Sequence, residues 1–184
     1  MLEAVTKSER ISFAALVKNL PDYASDLGKN LTMLAGESIL SPQQRAGAFL
    51  VSAMAVRHAK LAQAFTEEFA NDLSQDALQA AQTIAAIMPV YNLYYRFAGL
   101  SGVAEYDEMP LKLRLSSLSK INVPEQDSEL WIVAVSAVNA CASCLKAHEP
   151  AAREAGASAQ QIQAVVRIAA VISALATVLD SGQK

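Results

Sequence analysis

Ser158-Ala-Gln-Gln-Ile-Gln-Ala-Val-Val-Arg-Ile-Ala-Ala170 and Ser74-Gln-Asp-Ala-Leu-Gln-Ala-Ala-Gln-Thr-Ile-Ala-Ala86 lie 84 positions apart and open alike, a serine ahead of an alanine-rich run. Serine is a preferred helix N-cap, and alanine is the best helix former. Both stretches read as helix starts, and runs with the two-residue period of a strand are scarce along the rest of the chain. The expected fold is therefore all-α.

Working outward, an opening helix is expected from Ser8 to Asn19, stopped by Pro21. A second runs from Asp22 to Leu34 and ends near Gly36. Ser41-Pro42 reads as N-cap and first turn of a long helix. The helix capped by Ser74 continues through Tyr91, Tyr94, Tyr95 and Phe97 until Gly99 and Gly102 break it. After a looser segment, Pro124 and Asp127 introduce the helix that carries Glu129 and Trp131, and the last helix runs from Ser158 to about Asp180.

The offset of 84 holds beyond the caps. Ser52-Ala53 falls on Ser136-Ala137, Leu61 on Leu145, and Gln79-Ala80 on Gln163-Ala164. An internally duplicated helical domain over 1–184 is expected, with repeats at about 42–98 and 126–182. Chance matching of two alanine-rich helices is the competing explanation, and the serine shared at one register argues against it. In this register Cys141 stands opposite Arg57, Cys144 opposite Lys60 and His148 opposite Ala64.

Composition excludes several classes. Of 184 residues 53% are apolar, enough for one well-buried core. Net charge is −3 with both signs interspersed, so a nucleic-acid partner is not expected. The amino terminus lacks a charged-then-apolar signal, and the clean apolar run Ile168–Leu179 is too short to cross a bilayer. A soluble cytoplasmic protein with no membrane partner is expected. Only 18% of residues are charged, which points to apolar surface covered between subunits.

The two cysteines are Cys141 and Cys144, with His148 four residues on. Positions three and four apart share a helix face, so the three residues line one stripe if a helix begins near Cys141. That spacing lets the sulfurs meet and lets His148 approach the Cys144 sulfur. A paired histidine or a helix N-terminus favours the thiolate, the reactive form. Cys144 is then the better nucleophile candidate and Cys141 the resolving thiol. Glu129 heads an apolar run and needs a partner, for which His148 is available; alternatively it is an acidic first-turn residue placed by the helix dipole. Zinc is a rival use of the cluster, but it usually recruits two separated ligand pairs. A scaffold disulfide closing so small a ring stabilises little. Two cysteines buried as small core residues would leave the His148 offset unexplained. His58 reads as a surface or interface residue, Trp131 as core, and Arg96 as half of an ion pair. The tyrosine group is expected to line the mouth of the site or a subunit contact.

The stretch Glu129-Leu-Trp-Ile-Val-Ala-Val-Ser-Ala-Val-Asn-Ala-Cys141-Ala-Ser-Cys144-Leu-Lys-Ala-His148 closely resembles the signature of the alkylhydroperoxidase D (AhpD) family, within the carboxymuconolactone decarboxylase-like group. Leu20-Pro-Asp-Tyr-Ala-Ser-Asp-Leu-Gly-Lys-Asn-Leu31 resembles that family's N-terminal helix start, and Tyr91-Asn-Leu-Tyr-Tyr-Arg96 its mid-chain aromatic segment. The resemblance implies an all-helical, duplicated, commonly trimeric thiol peroxidase with no bound cofactor. It implies a hydroperoxide substrate, an external dihydrolipoamide-type reductant, and partners in an AhpC-type peroxiredoxin and a lipoylated dehydrogenase component. Carried over residue by residue, it makes Cys144 the sulfur oxidised to sulfenic acid. Cys141 becomes the proton donor and resolving thiol, and His148 with Glu129 the proton relay. Family members often carry His where this chain has Ser143, a hydroxyl that cannot hold a proton charge near neutral pH. Two other functions share these residues or this group: a redox adapter with little peroxidase activity of its own, and a non-redox decarboxylase-like enzyme.

Overall fold

The computed structural model describes residues 11–182, and among these there are helices and no strands. The helices are α1 Phe13–Lys18, α2 Ser25–Ala35, α3 Pro42–Ala55, α4 Ala59–Glu68, α5 Gln75–Ser101, α6 Ala104–Glu108, α7 Glu125–Val138, α8 Ala142–Glu154 and α9 Ala159–Ser181. Short 3₁₀ turns occupy Asp22–Ala24 and Leu118–Lys120. The expected all-α class holds.

Three serine caps behave as read. The Ser41, Ser74 and Ser158 hydroxyls accept from the amides of Gln44, Ala77 and Gln161, and Gln44 and Gln161 close capping boxes. Ser12 caps α1; the expected start at Ser8 lies outside the described residues. The helix opened by Pro42 ends at Ala55, because Arg57 adopts a left-handed φ of 61° and His58 starts a new helix. α5 passes through Gly99 and ends at Gly102, whose φ is 69°. Gly99 serves close approach instead: a Cβ there would lie 3.0 Å from the Ser143 hydroxyl on α8.

α3 and α7 pack on each other and on both α5 and α9, forming the centre of the molecule. α4 folds back on α3, and α8 folds back on α7 and against α5. One hydrophobic core runs through these helices, with Trp131, Phe49 and Phe65 among its largest fully buried side chains. Trp131 packs over Gly47 and donates its Nε1–H to the Gln44 carbonyl (3.0 Å), so it is core, as expected. Asp127 accepts from the side-chain Nε2 groups of both Gln43 and Gln44 at 2.8 Å, tying the start of α7 to that of α3. α9 packs on α2, α3 and α7. Ile168–Leu179 is only part of this helix. The whole of α9 is long and apolar enough to cross a membrane by length and composition, and 44% of its most apolar stretch is buried inside the protein.

The two helical hairpins match in detail, with a correction to the register. Arg57 and Ala140 both adopt left-handed φ values, 61° and 51°. His58 and Cys141 follow them as N-caps with nearly the same backbone angles. Their amides donate to Ala53 and Ser136 in turn. At the turn the offset is therefore 83, one less than between Ser74 and Ser158. Cys141 stands opposite His58, Cys144 opposite Leu61 and His148 opposite Phe65, not opposite Arg57, Lys60 and Ala64. His58 is correspondingly not a surface residue. Its side chain is only 9% exposed, with Nδ1 accepting from the Leu61 amide (3.2 Å) and Nε2 3.5 Å from Asp180.

Candidate active site

α7 closes with a Schellman-type turn: the Ala140 amide donates to Ala137 and the Cys141 amide to Ser136, with Ala140 in the left-handed position usually held by glycine. Cys141 thus ends one helix and caps the next. Its Sγ accepts from the Cys144 amide at 3.3 Å, at the N-terminus of α8. The positive end of the helix dipole favours negative charge on sulfur there. Cys141 and Cys144 are joined as a disulfide across a Cα–Cα distance of 5.3 Å.

Position separates the two sulfurs. Cys141 is fully buried, whereas Cys144 lines a cavity of about 470 Å³. Ser143, Ala147 and His148 of α8 form one wall of the cavity. Met88, Tyr91 and Tyr95 of α5 form the opposite wall, with Leu118 at the side. Tyr91 and Tyr95, one helical turn apart, stack with their rings 3° from parallel. Of the tyrosine group, these two line the site; Tyr94 faces elsewhere, its hydroxyl 3.5 Å from the Met109 carbonyl. The cavity is mostly apolar, so an organic molecule can lie against Cys144 without leaving polar groups unpaired.

His148 stands four residues after Cys144 on the same helix, in the same cavity. Its Nδ1 lies 2.8 Å from Glu129 Oε2. Glu129 is beyond the first turn of α7, and its carboxylate reaches across to α8. With Nδ1–H donated to the carboxylate, Nε2 is left as the proton-accepting nitrogen. The four sequence-derived residues are therefore brought together: two bonded sulfurs, and beside the accessible one an imidazole held by a carboxylate. No second acid or base is needed to take a proton from a thiol and return it to an oxygen.

The contacts that hold the end of α7 against α5 escaped the sequence reading. Asn92 of α5 is buried; it donates to the Ser136 hydroxyl (3.1 Å) and accepts from the Asn139 side chain (3.0 Å). Arg96, expected to meet an acid, instead donates to the Asn139 carbonyl (2.8 Å) at the end of α7. The only signal for this pair was two polar residues four apart on an otherwise aromatic and apolar helix face.

The model of the Carboxymuconolactone decarboxylase family matches residues 104–181, the part that carries the cysteines. The chain is 45% identical over 170 residues to the alkyl hydroperoxide reductase AhpD of Gluconacetobacter diazotrophicus, covering 92% of this chain and 93% of that protein. It is 44% identical over 167 residues to the protein of the same name from Methylobacterium sp. (strain 4-46), covering 91% and 95%. With the one from Maricaulis maris it is 45% identical over 169 residues, covering 92% and 98%. Identity at this level over nearly the full length of both partners means that this chain belongs to the AhpD family.

Proposed function

We propose that the protein is an alkyl hydroperoxide reductase that cycles the Cys141–Cys144 pair between dithiol and disulfide. The observation that carries this reading is the placement of Cys144 in an apolar cavity beside a carboxylate-held His148, with Cys141 buried in bonding reach behind it. His148 Nε2 takes the Cys144 proton. The thiolate attacks the terminal peroxide oxygen, the O–O bond breaks, and the alkoxide leaves with the proton returned by His148 as an alcohol. Cys144 is then a sulfenic acid. The Cys141 thiol displaces its hydroxyl as water, forming the disulfide. An external dithiol of the dihydrolipoamide type restores the pair by exchange, taking the disulfide itself. Glu129 keeps the imidazole in the tautomer this sequence needs.

The same dithiol suits an oxidised AhpC-type peroxiredoxin as a second electron acceptor, with a lipoylated dehydrogenase component as donor. We further propose a cytoplasmic homotrimer. Leu93, Phe97, Leu100 and Leu113 are exposed large apolar side chains on and near α5, and contact with a second copy would cover them. Light scattering of the purified protein gives the subunit number.

The test is single-turnover reaction of the reduced protein with cumene hydroperoxide. Cys144→Ser should abolish peroxide consumption. Cys141→Ser should consume about one equivalent and leave a sulfenic acid that dimedone traps. Full turnover by Cys144→Ser would refute the assignment.

A further inference from the structure

The turn that presents Cys141 is built twice in this chain, but only one copy is clamped by polar side chains. In the second half, Asn92 bonds the Ser136 hydroxyl and the Asn139 side chain, and Arg96 bonds the Asn139 carbonyl. In the first half, where the backbone follows the same path, Ala53 and Val56 stand in place of Ser136 and Asn139. On α9, Ala176 and Asp180 stand in place of Asn92 and Arg96, by the register of the shared Ser74 and Ser158 caps. Asp180 does face its turn, 3.5 Å from His58, but it is a mostly exposed carboxylate. A helix ending of this shape therefore forms without the clamp. Burying Asn92 and Ser136 carries a desolvation cost that forming the turn does not require.

What distinguishes the clamped turn is the cysteine pair. While the disulfide is closed, the cross-link itself restrains the turn. Once it opens, Cys141 depends on Ala140, a non-glycine residue in the left-handed region, to keep its place. We propose that Asn92 and Arg96 are positioning residues that hold the Asn139–Cys141 turn in its disulfide-ready shape in the dithiol state. They act on the sulfurs only through the Ser136 and Asn139 contacts. The inference rests on the redox use of the pair proposed above, but not on peroxide as its oxidant.

The sign of the effect follows. Without the clamp, the open dithiol gains conformational freedom while the disulfide stays restrained by its own bond, so reduction becomes easier. The test equilibrates the full-length protein with dithiothreitol. The protein S–S bond breaks, two protein thiols form, and the reagent is oxidised to its cyclic disulfide. Trapping with a mass-tagged alkylating agent counts the two states. Arg96→Met and Asn139→Val should each shift the equilibrium about tenfold toward the dithiol, a rise of ~30 mV for a two-electron couple. Val is the residue that the matched turn carries, so Asn139→Val provides a second variant should Arg96→Met fold poorly. Arg96→Lys, which keeps a charged donor, should remain within about threefold of the parent. Arg57→Met, which lies in the same cavity as Arg96 without a bond to the turn, should leave the equilibrium unchanged. Parental equilibrium in both Arg96→Met and Asn139→Val, or an equal shift in Arg57→Met, would overturn the proposal. Because no peroxide is used, a failure of the peroxidase reading would appear separately, as absent peroxide consumption beside an intact thiol equilibrium.

Discussion

Replacing Glu129 by Gln probes the relay with the smallest change of shape. Glu129 Oε2 lies 2.8 Å from His148 Nδ1, and the two side chains are 15% and 29% exposed, so the contact is largely shielded from water. A hydrogen bond to a charged group contributes about 1.5–3 kcal/mol and a neutral one about 0.5–1.5, so losing the charge removes about 1.4 kcal/mol of imidazole orientation. At ~1.4 kcal/mol per factor of ten, the rate constant for peroxide attack should fall about tenfold. The glutamine amide can also turn its NH₂ toward Nδ1, which would select the tautomer with Nε2 protonated and useless as a base. The loss therefore tends to exceed this figure rather than fall short of it. Glu129→Ala should cost about 10²-fold, toward the range of general-base catalysis as a whole. Stopped-flow reaction of the reduced protein with cumene hydroperoxide, in excess and at fixed pH, reads the step directly. A double-mutant cycle then checks the route: if Glu129 acts through the imidazole, Glu129→Gln/His148→Gln should be no slower than His148→Gln alone. A Glu129→Gln rate within twofold of the parent, or losses that simply multiply in the double variant, would refute the relay.

Three further substitutions test the architecture around the site. Gly47→Ala places a methyl inside the ring of the fully buried Trp131, which is tethered to the Gln44 carbonyl; overpacking of this kind should cost about 3 kcal/mol and lower Tm by roughly 6–12 °C in a thermal melt. Ala140→Gly relieves the left-handed strain at the cost of a more flexible unfolded chain, and should stabilise the protein by about 0.5–1 kcal/mol in urea titration; a loss of stability would contradict the strain. Ala147→Trp at the exposed rim of the cavity should raise KM for cumene hydroperoxide at least about tenfold while changing that for hydrogen peroxide less than twofold, and equal effects on both would show that the cavity does not receive the organic group.

Helix starts were legible in the sequence because their signals are local. Ser41, Ser74 and Ser158 each contribute one hydroxyl to an amide three residues on, and nothing distant can easily undo it. Helix ends were less so. Arg57 and Ala140 take the left-handed place where glycine is the usual mark, so neither break shows in the residue types. Gly99 misled in the opposite sense: its missing side chain makes room for Ser143 of a helix more than forty residues away. The cysteine stripe and its histidine could be read because four-residue spacing is a property of one helix. That Glu129 reaches His148, rather than serving only the helix dipole, depends on how α7 and α8 fold together, and the contact settles an alternative that spacing left open. The Asn92–Arg96 contacts likewise exist only once α5 lies across the end of α7.

The corrected register explains why only one of the two matching hairpins has room for chemistry. Opposite Cys144 and His148 stand Leu61 and Phe65, both fully buried, so the matched face of α4 is filled by core side chains. In the second half the cavity stands open over Cys144, and its far wall comes from Met88, Tyr91 and Tyr95 of the first half's long helix. Opposite Cys141 stands His58, and here the two halves share a task. The His58 imidazole nitrogen accepts from the Leu61 amide at 3.2 Å, just as the Cys141 sulfur accepts from the Cys144 amide at 3.3 Å. The fold asks this position for a hydrogen-bond acceptor at a helix N-terminus, and the cysteine sulfur meets that demand as the imidazole does. The capping requirement that a histidine satisfies in one half thus holds the buried sulfur of the other within bonding reach of Cys144.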